Sequence, residues 1–173
     1  AARSGRGDTT LTALGAAVRA FAPEDLDWAH ALNQANGREL SFMEAAHFEA
    51  LLSRARFARV LDPEAAFLLA FDQPPTTDSP NFAWVRQHYP EALYIDRIAV
   101  APHARRQGVA RRLYEDLFQE AAAQGFPQIA CEINADPPNP ASDAFHTALG
   151  FKPVGEARLE GRGKTVRYYL CAL

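Results

Sequence analysis

Four arginines flank the predicted start of one helix, where basic side chains are electrostatically unfavourable. Arg105 and Arg106 precede Gly108, and Arg111 and Arg112 follow it. The helix dipole places partial positive charge at an N-terminus and favours acids there. A glycine in the first helical turn costs about 1 kcal/mol relative to alanine, but it lets an anion approach the backbone N–H groups closely. These residue types and their spacing therefore predict a helix start that binds a phosphate group.

Other features of the sequence limit which anion and which partner the arginine cluster can be expected to bind. The patterns GxxxxGK[ST] and GxGxxG are absent, which disfavours a P-loop triphosphate site and a Rossmann dinucleotide site. Arg111 and Arg112 can pair with Glu115 and Asp116 four residues later, so a solvated helix face explains part of the cluster. A net charge of −3 and a pI of about 6.0 disfavour nucleic acid as the partner.

Charged residues inside apolar strands are the second chemical signal. Asp96 and Arg97 interrupt the run LYIDRIAV, although a central strand seldom holds two charges. They indicate either a functional site or a structural feature, namely a buried ion pair or a shift in strand register. Glu132 is a second candidate, since alternation along its strand places it opposite Cys131 and Ile133.

The elements expected to position these residues begin with a strand over 16–21. Two helices follow: the first has Pro23 at its first position and Gly37 as its stop, and the second begins with a capping box of Ser41 and Glu44. Two strands over 56–62 and 65–71 come next. The segment 72–81 holds three prolines and is predicted to be a loop, either a lid over a substrate or a plain surface excursion.

The second half of the chain alternates strands and helices. We expect a strand over 91–100, a helix over 108–124, a strand over 128–134, a helix capped by Asn139, and a hairpin of 152–160 with 164–172. The strand–helix–strand order predicts a parallel pair, and the hairpins add antiparallel strands. The predicted fold class is therefore α/β (α+β) with a mixed sheet.

Composition limits the class of protein. A chain of 173 residues with 48% hydrophobic content suits one globular domain, which we expect over 13–173 after a flexible tail over 1–12. No apolar run is long enough to span a bilayer, so we expect no membrane partner. Cys131 and Cys171 lack CxxC spacing and paired histidines, which predicts free thiols in the cytoplasm without a metal site.

Two motifs resemble the GNAT superfamily of N-acetyltransferases. The run RIAVAPHARRQGVARRLYEDL is similar to the family's acetyl-CoA-binding core, since Arg105, Gly108 and Ala110 fill its signature Q/R-x-x-G-x-G/A. The run NPASDAFHTALGF is similar to the second motif, a helix that begins with Asn and ends in F-Y-x-x-x-G-F. The resemblance extends to a bacterial subgroup of predicted acetyltransferases. It implies a mostly antiparallel sheet whose central parallel pair splits around coenzyme A, with about four main helices.

The resemblance implies that acetyl-CoA is the co-substrate and that its pyrophosphate is held by the N–H groups of 106–111. The strand before the loop would lie along the pantetheine arm, with a backbone N–H near Val100 facing the thioester oxygen. The expected coenzyme-binding residues are Ile98, Ala99, Val100, Arg105, Arg106, Gln107, Gly108, Val109, Ala110, Arg111, Asn139, Ser142 and Phe145.

The implied reaction is direct transfer of the acetyl group to a primary amine of a small molecule or peptide. Asp96 is our preferred catalytic base and Glu132 the second candidate. The expected acceptor pocket comprises Ser79, Asn81, Trp84 and Tyr94 with Phe82, although ordinary packing explains Phe82 and Trp84 equally well. The alternative function is a non-catalytic coenzyme A-binding or regulatory module with the same fold. The exposed C-terminal hairpin makes a homodimer plausible.

His146 departs from the family pattern, because it stands where the second motif has tyrosine. The resemblance implies that this tyrosine protonates the departing thiolate. An imidazole can replace the phenol as proton donor, with Ser142 one turn earlier on the same helix face as an auxiliary hydrogen bond. The other interpretation is that His146 serves only local packing.

Overall fold

A seven-stranded sheet forms the centre of the computed structural model, which describes residues 16–173. Its strand order is β1-β2-β3-β4-β5-β7-β6, and every neighbouring pair is antiparallel except β4 with β5. The predicted mixed, mostly antiparallel sheet is confirmed. The expected tail over 1–12 lies outside the described residues. The strands are β1 (Val18–Ala20), β2 (Phe57–Leu61), β3 (Ala66–Phe71), β4 (Leu93–Val100), β5 (Gln128–Asp136), β6 (Lys152–Leu159) and β7 (Lys164–Ala172).

Six α-helices accompany this sheet in the described part of the chain, whereas the sequence indicated about four main ones. The additional elements are the single turn α2 and the helix α4, which begins at Pro80 within the segment predicted as a loop. Only Phe82 and Val85 of α4 are buried, so its sequence carries too short an apolar stripe to reveal a helix. The helices are α1 (Leu26–Ala35), α2 (Gly37–Leu40), α3 (Ala45–Arg54), α4 (Pro80–His88), α5 (Val109–Ala123) and α6 (Pro140–Ala148).

The predicted capping box of Ser41 and Glu44 is wrong. Ser41 ends α2 with φ 69°. Glu44 is the N-cap residue of α3, and its side chain makes no capping hydrogen bond. The motif indicated one helix that begins at Ser41. The structure instead has the single turn α2, a break over 41–44, and then α3.

Helices pack against both faces of the sheet. All six residues of β3 are buried, and they alternate between two apolar clusters. Leu68 and Ala70 pack with Leu113 and Leu117 of α5. The neighbouring residues Phe67, Leu69 and Phe71 pack in the other cluster, with α1 and α3. A central strand buried on both faces reads as a continuous apolar run, and such a run is what 65–71 shows.

The sheet opens between its two parallel strands. Leu93 and Tyr94 of β4 pair with Ile129 and Ala130 of β5, and the register gives no further pairs between these strands. On its other side β4 carries a bulge, since Leu69 pairs with Arg97 while Ala70 pairs with Ile95, which leaves Asp96 as the extra residue. Bulges bend a strand and increase its twist. The fold therefore places a gap beside the C-terminal half of β4.

Candidate functional site

The gap between β4 and β5 forms a cleft of about 670 Å³, called here the central cleft. One wall is the C-terminal part of β4, from Ile95 to Val100, and the other is β5 from Cys131 to Asn134. Tyr114 of α5 and His146 of α6 line the same cleft. The cleft thus lies where β4 and β5 diverge, and α5 and α6 contribute side chains to its lining.

A second cavity of about 400 Å³ lies at the start of α5 and is called here the helix-start cavity. Gly108 is the N-cap residue of α5 with φ 72°, and no side chain caps the helix. A Cβ atom at Gly108 would meet nothing within 4 Å. Because the first N–H groups of a helix have no intrahelical partner, they are available here to an anion. The glycine is therefore needed for its left-handed conformation and lies before the first turn, not within it.

The residues expected to hold the coenzyme line these two cavities, with one exception. Gln107 is the exception, since its side-chain amide donates to the His103 carbonyl at 2.9 Å and lines neither cavity. The N-cap role of Asn139 is confirmed, because its side chain accepts a hydrogen bond from Ser142 N at 3.2 Å. Lining the central cleft are Ile98, Ala99, Val100, Arg105, Asn139 and Ser142, and lining the helix-start cavity are Val100, Arg105, Arg106, Gly108, Val109, Ala110, Arg111 and Phe145.

The four arginines do not act as one group. Arg105, Arg106 and Arg111 line the helix-start cavity. Arg111 also pairs with Glu115 at 3.7 Å, as the four-residue spacing indicated. Arg112 points elsewhere and donates to the Ala16 carbonyl. Three of the guanidinium groups are therefore placed to face an anion at the helix start.

A third cavity of about 210 Å³, called here the side pocket, adjoins the central cleft. It is lined by Ser79, Asn81, Phe82 and Tyr94, four of the five residues that the sequence analysis grouped together. Trp84 is not among its lining residues. The two cavities share Glu39, Leu40, Asp96, Arg97, Glu132 and Lys164.

Trp84 has a packing role instead. Its ring stacks between His88 and Tyr168, with both centroid distances 3.9 Å. Gly155 of β6 faces the same ring, and a Cβ there would lie 2.5 Å from Trp84. Ordinary packing, which was one of the two readings of Trp84, accounts for all these contacts.

Glu132 lies where the central cleft and the side pocket meet. The Tyr94 hydroxyl donates to its Oε2 at 2.8 Å, and the Asn81 amide donates to its Oε1 at 3.0 Å. Burial, followed by the nearby charge of Asp96, raises the pKa of Glu132 to about 8. A carboxyl with such a pKa is well matched to proton transfer near neutral pH.

Asp96 lies at the same junction but is engaged by its neighbour. Its carboxylate accepts from Arg97 Nε at 2.6 Å, and Arg97 Nη1 donates to Asn33 Oδ1 of α1 at 2.8 Å. Asn33 is completely buried. The ion pair and the bulge at Asp96 are both present, so structural roles account for the two charges in this strand.

His146 is buried and hydrogen-bonded through both ring nitrogens. Nδ1 lies 2.7 Å from the Ser142 carbonyl oxygen, and Nε2 lies 2.6 Å from the Tyr114 hydroxyl. A carbonyl only accepts, so Nδ1 carries the proton and neutral His146 accepts the Tyr114 proton at Nε2. Burial lowers the pKa of His146. The Ser142 hydroxyl is 3.3 Å from Nδ1, so Ser142 lies beside His146 as the helical spacing indicated.

Two residues of this region carry no signal in the sequence. Tyr114 lies beside Leu113 in the buried stripe of α5, where an aromatic residue is typical of a core. Lys164 begins β7 next to a hairpin turn, where a lysine is ordinary. Their neighbours come from other elements, so only the folded chain identifies them.

Two kinds of feature are absent from residues 16–173. No group of His, Cys, Asp and Glu there could hold a metal ion. None of the helices in this range is both long and apolar enough to cross a membrane. Cys131 and Cys171 are free and buried, and burial raises the pKa of both thiols.

Comparison with known proteins gives one family. The sequence profile described as the acetyltransferase (GNAT) family matches residues 38–151, which is more than half of the chain. No curated protein matches the sequence significantly.

Solved structures with the same architecture are distant in sequence. The ribosomal-protein-S18-alanine N-acetyltransferase from Escherichia coli is 21% identical, with a TM-score of 0.66 over 91% of this chain and 93% of its own. A GNAT superfamily phosphinothricin acetyltransferase from Sinorhizobium meliloti, solved in complex with AcCoA, is 20% identical, with a TM-score of 0.71 over 91% and 88%. An aminoglycoside 6'-N-acetyltransferase complexed with coenzyme A is 17% identical, with a TM-score of 0.67 over 90% and 96%. At these identities the likeness establishes a shared fold.

Proposed function

We propose that this chain, which belongs to the acetyltransferase (GNAT) family, transfers the acetyl group of acetyl-CoA directly to a primary amine. The acceptor would be a small molecule or a peptide. The similar structures include one enzyme named for a ribosomal-protein alanine and another named for aminoglycosides, so the fold serves both classes. The rival function is a coenzyme A-binding module without turnover.

The observation that carries this proposal is that the central cleft and the side pocket meet at one titratable carboxyl, that of Glu132. The central cleft and the helix-start cavity share Val100 and Arg105 and would together form one path for the acyl donor. The side pocket reaches the same carboxyl, Glu132, from another direction. Bringing donor and acceptor together at a proton-transfer group is what acyl transfer to an amine requires.

The helix-start cavity fits the phosphate groups of coenzyme A. The uncapped N–H groups of α5 and the open space at Gly108 suit a pyrophosphate. Arg105, Arg106 and Arg111 provide positive charge around it. The C-terminal part of β4 would hold the pantetheine arm, whose thioester supplies the activated acetyl group.

Glu132 is the better base of the two carboxyl candidates, although the sequence favoured Asp96. The base must take a proton from an ammonium group near neutral pH, so a carboxyl with a raised pKa transfers it more effectively. Glu132 has that raised pKa, whereas Asp96 is committed to the Arg97 ion pair. Tyr94 and Asn81 would then orient Glu132 toward the acceptor.

Tyr114 and His146 would return a proton to the departing thiolate as a pair. In the neutral pair both nitrogens of His146 are occupied, so the imidazole by itself has no proton free for the cleft. His146 stays neutral at the pH where Glu132 is ionised, because burial lowers its pKa, so the phenolic proton of Tyr114 would pass directly to the sulfur as the C–S bond breaks. The proton that the acylated nitrogen loses would then restore the phenol through solvent, and His146 would hold Tyr114 in position.

A turnover screen tests the proposed function. Release of free thiol from acetyl-CoA would be followed across amino acids, polyamines, aminoglycosides and peptides, with calorimetry of acetyl-CoA binding in parallel. Binding with amine-dependent thiol release is expected. Binding with no release across the panel would favour the module, and the absence of binding would contradict both functions.

A further inference from the structure

The side pocket contains seven charged side chains, and five of them are satisfied within the protein. Asp96 pairs with Arg97 at 2.6 Å, and Asp78 pairs with Arg162 at 3.3 Å. Glu132 accepts two hydrogen bonds. Glu39 and Lys164 are left without a side-chain hydrogen bond or ion pair among the residues described.

These two unpaired charges differ in their surroundings. Glu39 is exposed, so water solvates its carboxylate. Lys164 is partly buried, lies at the first position of β7, and lines both the side pocket and the central cleft. Removing a charge from water is costly unless a partner replaces the solvent. The pocket thus presents a cation whose side chain has no ion-pair or hydrogen-bond partner among the described residues.

Lys164 also lies within electrostatic range of Glu132, since its charge acts to lower the pKa of that carboxyl. Both side chains line the side pocket and the central cleft, so an acceptor whose amine reaches Glu132 would have Lys164 within the same pocket. An anionic group on that acceptor would be bound by the Lys164 ammonium. The side pocket measures about 210 Å³, which suits a small acceptor.

We propose that Lys164 binds a carboxylate of the acceptor, so that the preferred acceptors are free amino acids and related small amino-carboxylates. This rests on the proposed acetyl transfer and narrows its substrate class. A free amino acid carries the required carboxylate beside its amine, whereas the N-terminal residue of a peptide has lost it to the amide bond. Lysine suits the role because its ammonium is a compact charge with three donors.

Matched acceptor pairs test this substrate class. The values of kcat/KM would be measured for phenylalanine against phenethylamine, tyrosine against tyramine, and lysine against cadaverine. The wild-type protein should prefer the carboxylated member of at least one pair by tenfold or more. Lys164→Met should lower kcat/KM for that member by about 10- to 100-fold, the usual range for a hydrogen bond to a charged group. The decarboxylated amine has no carboxylate to lose, so its kcat/KM should fall by a smaller factor.

Two further variants act as controls. Lys152→Met removes the chain's other lysine, which is exposed at the start of β6, and should leave both members of each pair unchanged. Lys164→Arg retains the charge and should recover part of the preference. Thermal midpoints and acetyl-CoA affinities would show that each variant is folded.

Three results would overturn the inference. Equal turnover of both members by the wild-type protein would show that no carboxylate is recognised. An equal loss on both members in Lys164→Met would mean that the lysine acts only through the Glu132 pKa. If no member of any pair is turned over while a peptide, polyamine or aminoglycoside is acetylated, the inference fails and the proposed acetyl transfer stands, whereas binding of acetyl-CoA with no turnover of any amine would end both.

Discussion

At the scale of single residues, environment decides which carboxyl in this site can do acid–base chemistry. Glu132 and Asp96 both lie at the junction of two cavities. Burial raises the pKa of Glu132 to about 8, and its partners Tyr94 and Asn81 are neutral donors. Asp96 has a cationic partner at 2.6 Å. The protonation state of Glu132 therefore changes in the range where an amine must lose its proton.

Replacing the two carboxyls separately tests this distinction. Glu132→Gln keeps the shape and should lower kcat/KM for the amine by about 10²- to 10⁴-fold, the usual contribution of a general base. The wild-type value should rise with pH up to about 8, as the carboxyl ionises, and the variant should lose this rise. Asp96→Asn is the control and should cost less. A larger loss in Asp96→Asn would restore Asp96 as the base.

The Tyr114–His146 pair makes a second prediction at the residue scale. Tyr114→Phe and His146→Phe should each lower kcat by about 10²-fold or more, with acetyl-CoA affinity unchanged by calorimetry. His146→Tyr should recover part of the rate. In Tyr114→Phe the solvent isotope effect on kcat should be smaller than in the wild-type protein, because the phenolic proton no longer moves to the sulfur. Near-wild-type turnover in both phenylalanine variants would leave solvent as the proton source.

At the scale of elements, the two ends of α5 use glycine for the same backbone reason but with different consequences. Gly108 precedes the helix with φ 72°, and Gly125 follows it with φ 86°. A Cβ atom at either position would meet nothing within 4 Å. Only Gly108 lies against a cavity lined by arginines. Substitutions at Gly108 and Gly125 therefore separate the effect of backbone strain from the effect on anion binding.

Gly108→Glu and Gly125→Glu form the matched comparison. Both substitutions force a non-glycine residue into the left-handed region and should cost about 1–2 kcal/mol of stability. Gly108→Glu should also weaken acetyl-CoA binding by tenfold or more, because a carboxylate would face the helix-start cavity. Calorimetry and thermal unfolding measure the two effects. Equal acetyl-CoA affinities for the two variants would show that the phosphates bind elsewhere.

At the scale of the whole molecule, the site connects elements that are far apart along the chain. Tyr168 of β7 donates to Asn81 of α4 at 2.9 Å, and Asn81 donates to Glu132 of β5. Tyr94 of β4 completes the chain of hydrogen bonds. Burying a titratable carboxyl at the centre of this network costs stability whenever the carboxyl must be charged.

This cost predicts a pH dependence of unfolding. The carboxyl of Glu132 titrates at about 8 in the folded state and near 4.3 in the unfolded chain. The folded state therefore holds an extra proton between these values, and the free energy of unfolding falls as pH rises through that window. Glu132→Gln removes this loss, so its advantage in thermal midpoint over the wild-type protein should be larger at pH 9 than at pH 5.

Glu160→Gln, on the exposed hairpin turn, is the control for this measurement. It should shift the midpoints at both pH values equally. An advantage of Glu132→Gln that is the same at pH 5 and pH 9 would contradict the raised pKa of Glu132.

The sequence by itself determined the features that depend on neighbouring residues. The strand–helix–strand order predicted the parallel pair, and the composition of 65–71 predicted a buried strand. The glycine and arginines around 105–111 predicted an anion site, because the first N–H groups of a helix have no intrahelical partner. The sequence predicted the helices less well where the apolar stripe is short, as in α4. It also failed where a capping motif matched a segment that lies between two helices, as at Ser41 and Glu44.

Only the tertiary structure decided how the site residues combine. The sequence favoured Asp96 over Glu132 as the base, but in the structure the bulge and Arg97 account for Asp96, while burial raises the pKa of Glu132. Tyr114 meets His146 only because α5 and α6 pack over the same gap in the sheet. Burial and contacts between distant elements set pKa values and hydrogen-bond partners, and neither is encoded in the spacing of nearby residues.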